Sequence, residues 1–219
     1  MRNIITGGFT GRMGNQCFQI ASVIALALKH GAEYTFQRPT DNDVWRVYFN
    51  HFPNIDINSM ERQYYNETVY EYKEIPYNGG LLCLCGYFQS YKYFENYREE
   101  IIKAFNFDWN HIPDKVSIHV RRGDYVEGSP FEPIKFSYIA EAMFYFIDKG
   151  YNKFIVFSDD MDWCKENINK NILWVRNSNT SNYFTNCEFE YSEGKTEFED
   201  ISLMSSCSHN IIANSTFSW

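Results

Sequence analysis

The densest chemistry in the chain lies at residues 117–124, Ser-Ile-His-Val-Arg-Arg-Gly-Asp. Val116, Ile118 and Val120 are apolar and alternate with Ser117 and His119, the pattern of a short strand. That strand delivers Arg121 and Arg122 into a glycine turn ending in Asp124. A guanidinium is a planar fork of donors that matches phosphate oxygens two at a time, so adjacent arginines at a strand end fit a diphosphate or a similar strong anion. Taken alone, the pair reads more plainly as two solvated surface arginines. Two further clusters change that weighting. An apolar run at 153–157 ends in Ser158-Asp159-Asp160, and one at 210–213 ends in Asn214-Ser215-Thr216-Phe217-Ser218. Ligands of open α/β sheets bind beyond the carboxyl ends of the strands. Three parallel neighbours would bring arginines, carboxylates and hydroxyls to one crevice. A nucleoside diphosphate would be served there, with phosphates on the arginines and hydroxyls and a carboxylate accepting from base N–H groups or ribose hydroxyls.

Other patterns compete with this reading. Asp160-Met161-Asp162 matches the Asp-x-Asp by which many nucleotide-sugar transferases hold a divalent metal. The plainer role for Asp159 or Asp160 is the N-cap of the next helix. The arginine pair also supplies the positive charge that a metal would bring, so no metal site is expected. Thr6-Gly7-x-x-x-Gly11-x-x-Gly14 with Tyr145-x-x-x-Lys149 approaches the pattern of an NAD(P)-dependent reductase. Its glycine spacing is one residue off, no acidic residue ends the second strand, and Tyr145 reads as a core residue on an apolar helix face. No Gly-Lys-Ser/Thr follows the turn, which excludes a Walker A loop. The six cysteines form no CxxC pair, and Cys83-Leu84-Cys85 is too close for the usual zinc spacing. They read as mostly buried free thiols in a reducing compartment.

The elements that must position these groups alternate along the chain. A strand at Ile4-Ile5, a glycine turn through Gly14, a helix over 15–30 ended by Gly31 and a strand at 34–36 make a βαβ opening. Residues 39–80 read as irregular, 81–88 as a buried strand, and 93–105 as a helix with Phe94, Tyr97, Ile101 and Phe105 on one face. The polar stretch 106–115, with Pro113, is the best boundary. Strand 116–120, helix 136–149, strand 153–157, helix 161–168, strand-like pieces at 172–175 and 188–191, helix 198–206 and strand 210–213 follow. This alternation predicts an α/β fold with largely parallel sheets, divided into an N-terminal half, 1–110, and a C-terminal half, 111–219.

At 219 residues and 44% apolar content the chain can bury a sizeable core. Its net charge of −8 argues against a general nucleic-acid binder. The apolar run 17–28 is of signal-peptide length, but a strand and a glycine turn precede it and Gln19 and Ser22 interrupt it. No segment approaches the ~20 apolar residues of a membrane span. The expectation is a soluble, cytoplasmic protein without stable membrane insertion.

The same residues carry a resemblance along nearly the whole chain. Gly11-Arg12-Met13-Gly14-Asn15-Gln16-Cys17-Phe18-Gln19 resembles the N-terminal segment of the α-1,2-fucosyltransferases of glycosyltransferase family 11. Gly86-Tyr87-Phe88-Gln89-Ser90, with Tyr93-Phe94 after it, is similar to that family's Gly-Tyr-Phe-Gln-Ser segment. His119-Val120-Arg121-Arg122-Gly123-Asp124 resembles its His-x-Arg-Arg-x-Asp signature. Phe157-Ser158-Asp159-Asp160 and the final run Ile211-Ile212-Ala213-Asn214-Ser215-Thr216-Phe217-Ser218-Trp219 resemble its last blocks.

The resemblance implies a GT-B-like fold of two Rossmann-type halves, with GDP-fucose in the C-terminal half and the acceptor side in the N-terminal half. It implies inverting transfer of L-fucose to the 2-hydroxyl of a terminal β-galactose, with GDP-fucose as donor substrate and no cofactor. By position, Arg122 and Arg121 would face the diphosphate, with Arg122 favoured for the β-phosphate. His119 and Asp160 would lie near guanine or ribose, Thr216 and Ser218 near the phosphates, and Ser158 and Asn214 would also line the donor. Asn15 would approach fucose or acceptor from the N-terminal half, and Asp124 would hold the arginine loop. Asp124, Asp43 and Glu132 are the candidate bases, with a weak base or water as the alternative. The family continues past Phe-Ser-Trp with a second Trp and a further helix, whereas this chain stops at Trp219. That departure implies a shortened C-terminal half with apolar surface uncovered, and it motivates the alternative of a non-catalytic GDP-fucose- or glycan-binding protein.

Overall fold

The structure is a computed structural model describing residues 2–36, 51–107, 111–126, 130–169 and 187–219. The chain divides into two compact units, Met1–Phe107 and Asp108–Trp219.

In the first unit, β1 (Ile4–Gly7) leads through a glycine-rich loop into α1 (Met13–His30) and then β2 (Glu33–Tyr34). β3 (Arg62–Asn66) and β4 (Leu81–Cys85) complete a four-stranded, wholly parallel sheet in the order β2-β1-β4-β3. The apolar run 17–28 is the middle of α1, buried almost throughout and packed on β1 and β2. Gly7 allows that approach, since a Cβ there would stand 3.0 Å from Val23 Cγ2. α1 stops because Gly31 takes the left-handed conformation and its N–H and that of Ala32 turn back to the last carbonyls. After β4, two 3₁₀ turns (Tyr91–Tyr93 and Glu95–Tyr97) run into α2 (Arg98–Phe105), whose buried face is Ile101 and Phe105.

The second unit opens with β5 (Ile112–Val120) and the short α3 (Gly123–Val126). α4 (Phe136–Ile147), β6 (Lys153–Ser158), α5 (Met161–Asn167), β7 (Glu188–Tyr191), α6 (Glu197–Ser206) and β8 (Cys207–Ile211) follow. The sheet is again wholly parallel, in the order β7-β6-β5-β8. Val116, Ile118 and Val120 of β5 and Phe154 and Val156 of β6 pack under Ile139, Ala140, Met143 and Phe144 of α4. Ile155 and Phe157 project to the opposite face, against Met204 and Cys207. Both faces are therefore covered, as a parallel sheet requires. Ser117 and His119 alternate with the apolar residues as expected but are buried too, so each needs an internal partner.

Several expected boundaries move. β3 lies in the stretch read as irregular; it is a mostly exposed edge strand of polar and tyrosine residues, with no apolar alternation to announce it. β4 ends at Cys85 rather than 88, because Gly86 and Phe88 both take positive φ. The helix expected over 93–105 is helical in the α sense only from Arg98. β5 begins inside the polar boundary, where Pro113 and a positive φ at Asp114 accompany a shift of register between Ile112 and Val116. β8 runs over Cys207–Ile211, earlier than expected. The strand-like piece at 172–175 lies outside the described residues. Tyr145 is not core: it is 57% exposed, with the Lys149 ammonium over its ring, because the buried face of α4 is set by Ile139, Ala140, Met143 and Phe144.

Candidate functional site

Each sheet has one place where the strand order reverses: between β1 and β4 in the first unit, and between β5 and β8 in the second. Connections leave such a point in opposite directions and open a crevice at the carboxyl ends of its strands. The chemistry-bearing segments lie at these two places or beside them.

In the second unit, His119 is the penultimate residue of β5, and Ser218 lies in the turn that follows β8. His119 Nδ1 and Ser218 Oγ are hydrogen-bonded at 2.8 Å, and the imidazole stands against the Phe217 ring. The Ser218 hydroxyl also accepts from the Ala213 N–H, which folds residues 213–218 into a compact turn beside the strand end. Burial pushes the imidazole down to about 4, with the Asp159 charge pulling it up and the Arg121 charge pushing it down. His119 is therefore neutral at ordinary pH and acts as a fixed hydrogen-bonding ring. Ser117, two residues earlier, donates to Asn210 Oδ1 across the same strand pair.

Arg121 and Arg122 are held by three carboxylates. Arg121 spends one terminal nitrogen on Asp124 at 2.5 Å and the other on Asp159 at 2.8 Å. Arg122 gives its Nε to Asp160 Oδ2 at 2.9 Å, and its guanidinium lies 4.0 Å over the Trp163 ring. The Asp160 bond engages Nε rather than the terminal nitrogens. Asp159 also accepts the Arg122 backbone N–H at 2.8 Å, so one carboxylate fixes both the turn and the first arginine. Gly123 makes room for it: a Cβ there would fall 2.5 Å from Asp159 Oδ2.

Asp160 caps α5 by accepting the Trp163 N–H, and the Ser158 hydroxyl accepts the Asp160 N–H. The capping role weighed for this pair thus falls to Asp160, and the Asp-x-Asp carboxylate is engaged by Arg122 and a helix end. Among the described residues, no three His, Cys, Asp or Glu side chains group as a metal site. Asn214 donates to the Glu132 carbonyl, and its own carbonyl accepts from Tyr125. Thr216 is half-buried in the same turn.

The first unit holds the remaining predicted site residue. Asn15 sits in the first turn of α1, with Gly11 bent under it at a φ of 79°. A Cβ on Gly11 would run into the Asn15 amide, so glycine is required there twice over. Asn15 Oδ1 accepts from Gln89 Nε2 at 2.8 Å, joining the glycine loop after β1 to the segment after β4. Gln19 braces the same pair of loops, bonding the Thr10 backbone and the Gly86 carbonyl.

Nine of the ten predicted site residues therefore gather at the strand ends of the second unit, and Asn15 lies in the first. Of the candidate bases, Asp124 is tied to Arg121, Glu132 is exposed, and Asp43 lies outside the described residues. Sequence reasoning weighed Asp159 only as a helix cap within the polar cluster and assigned no role to Trp163. The adjacency of β5 and β6 is what aims both at the arginine loop. All six cysteines are free, and burial pushes Cys164 and Cys207 up to about 11, well away from a reactive thiolate. No helix among the described residues is long and apolar enough to cross a membrane.

A family model described as glycosyl transferase family 11 matches residues 2–219. An alpha-1,2-colitosyltransferase of Escherichia coli is 31% identical over 193 residues, covering 78% of this chain and 59% of the relative. The galactoside alpha-(1,2)-fucosyltransferase 2 of Mus musculus is 26% identical over 250 residues, covering 99% of this chain and 67% of the relative. The chain thus spans about three-fifths to two-thirds of the length of these relatives. Among solved structures, a mutant of Arabidopsis thaliana FUT1 in complex with GDP superposes with a TM-score of 0.50 at 13% identity, over 99% of this chain and 67% of that one. At that identity the likeness concerns the fold, which agrees with the GT-B-like arrangement of parallel α/β units expected from the sequence.

Proposed function

The chain belongs to glycosyl transferase family 11, and from that premise we propose that it transfers L-fucose from GDP-fucose to the 2-hydroxyl of a terminal β-galactose, with inversion. The observation that carries this reading is the cluster at the carboxyl ends of β6, β5 and β8, which gathers Arg122, held through Nε by Asp160, with a neutral His119 bonded to Ser218 in the turn that also holds Thr216. In the displacement, the acceptor oxygen forms a bond to the fucose anomeric carbon, the bond to the β-phosphate oxygen breaks, and the acceptor proton passes to a base or water. Negative charge grows on the departing GDP, and fixed donors aimed at that charge contribute most to the rate.

Arg122 takes the phosphates. Arg121, with both terminal nitrogens on carboxylates, holds the loop together with Asp124. His119, Ser158, Asp160 and Asn214 shape the nucleoside end. In the first unit, Asn15 and Gln89 present amides suited to sugar hydroxyls, so we assign fucose or acceptor contacts to Asn15. The commitment of Asp159 and Asp160 to guanidiniums supports a metal-independent reaction. The free cysteines support a cytoplasmic setting.

GDP release from GDP-fucose, measured with lactose or N-acetyllactosamine and with or without EDTA, tests the reading. Acceptor-dependent release that survives EDTA is the expected result. Release abolished by EDTA removes the metal-independent reading, and donor binding without release supports a binding protein instead. The colitosyltransferase relative supplies a second reading, transfer of colitose, which nucleotide-linked colitose offered as a separate donor decides.

A further inference from the structure

In the first unit, the Glu67 carboxylate holds the segment that follows β4. Glu67 directly follows β3, and its backbone N–H extends the ladder by donating to the Cys85 carbonyl at 2.9 Å. From that anchored position, its Oε2 accepts the N–H groups of both Tyr87 and Phe88, at 2.7 and 2.9 Å. The segment it holds is strained. Phe88 has a φ of 52°, a left-handed conformation rare for an aromatic residue, and its ring is fully buried. Gly86 has a positive φ, and a Cβ there would lie 2.4 Å from Glu67 Cβ. Two charge-assisted bonds to adjacent N–H groups are a sufficient reason for the chain to take this path. The next residue is Gln89, which donates to Asn15. The other carboxylate oxygen, Oε1, is buried with no protein partner.

We propose that Glu67 is a positioning residue for transfer: by clamping the Tyr87 and Phe88 N–H groups it aims Gln89 at Asn15 and fixes the amide surface of the first unit. The inference rests on the role given to Asn15 under the proposed function, but the clamp can be read without turnover.

Glu67→Ala removes both acceptors, whereas Glu67→Gln keeps one oxygen that can accept the same two N–H groups. Hydrogen exchange in the full chain reads the clamp. Tyr87 and Phe88 amides are expected to exchange at least about tenfold faster in the Ala variant and near the wild-type rate in the Gln variant. In the GDP-release assay, kcat/KM for the acceptor should fall about 10–100-fold in the Ala variant and recover to within a few-fold in the Gln variant, while calorimetric affinity for GDP stays at the wild-type value. Unchanged exchange at Tyr87 and Phe88 overturns the clamp. Faster exchange with unchanged acceptor kcat/KM, or an equal loss of GDP affinity, overturns the positioning role. A wild-type protein with protected amides but no turnover refutes the transfer reading and leaves the clamp standing on exchange alone.

Discussion

Replacing Arg122 separates the chemistry of the arginine loop from its architecture. The wild-type side chain makes one partly exposed ion pair with Asp160 and stacks over Trp163 at 4.0 Å. The ion pair contributes about 0.5–1 kcal/mol and the stacking about 1 kcal/mol, so Arg122→Ala should lower stability by roughly 1.5–2 kcal/mol. For a protein of this size that is a fall in Tm of about 3–8 °C, readable by circular dichroism. If the terminal nitrogens of Arg122 stabilise charge on departing GDP, the same substitution removes donors from the transition state, and kcat should fall about 10²–10³-fold, or roughly 3–4 kcal/mol. The kinetic loss thus exceeds the stability loss, and the two are read on one sample. Arg122→Lys keeps the charge but not the fork or the planar stack, so it should recover only part of kcat. A folded Arg122→Ala protein whose kcat stays within about threefold of wild type would refute this reasoning, because one donor of this kind is worth far more.

Two further perturbations probe the frame around that arginine. His119 is buried and neutral with a pKa near 4, against 6.5 for the free side chain, so between those values the unfolded chain binds a proton that the folded chain does not, and stability falls as pH falls. The loss attributable to His119 is roughly 2 kcal/mol at pH 5 and about 3 kcal/mol at pH 4; urea titrations of wild type and His119→Gln should diverge over that window, and parallel pH profiles would contradict the assignment. Gly123→Ala places a methyl 2.5 Å from Asp159 Oδ2 and should displace the carboxylate that holds both Arg121 and the Arg122 N–H. A stability loss of about 1–3 kcal/mol by denaturant titration is expected, and a variant as stable as wild type would show that Asp159 moves aside freely.

What was legible in the sequence was local. The alternation over 116–120, the glycine-ended helix and the polar clusters at strand ends are each written within about twenty contiguous residues, and all of them stand in the structure. What was not legible depends on which strands become neighbours. Asp159 controls the arginine loop because β6 lies beside β5; the sequence offered that adjacency only as a condition, and the partner of this one carboxylate followed from it only in the structure. Glu67 reaches the segment after β4 because an edge strand without apolar alternation pairs there. Tyr145 failed as a core residue because an apolar neighbourhood in sequence does not fix which side of a helix faces the sheet.

The two crevices differ in what holds their polar groups, and under the proposed transfer the difference bears on which groups would serve donor and acceptor. In the second unit the struts are charged: three carboxylates set two guanidiniums. A preset donor costs no reorganisation when charge develops, which suits the stabilisation of a leaving diphosphate. In the first unit the struts are amides and backbone N–H groups around Asn15 and Gln89, with the Glu67 charge withdrawn behind them. Neutral amides can both donate to and accept from hydroxyls, which suits an acceptor sugar better than an anion. Asp124, the candidate base nearest the arginines, has an oxygen committed to Arg121, so proton removal by it would loosen the loop that the leaving group needs. Leaving-group stabilisation by Arg122 and acceptor orientation by the amides therefore carry the reaction in this reading, with proton transfer to a weak base or water following bond cleavage rather than driving it.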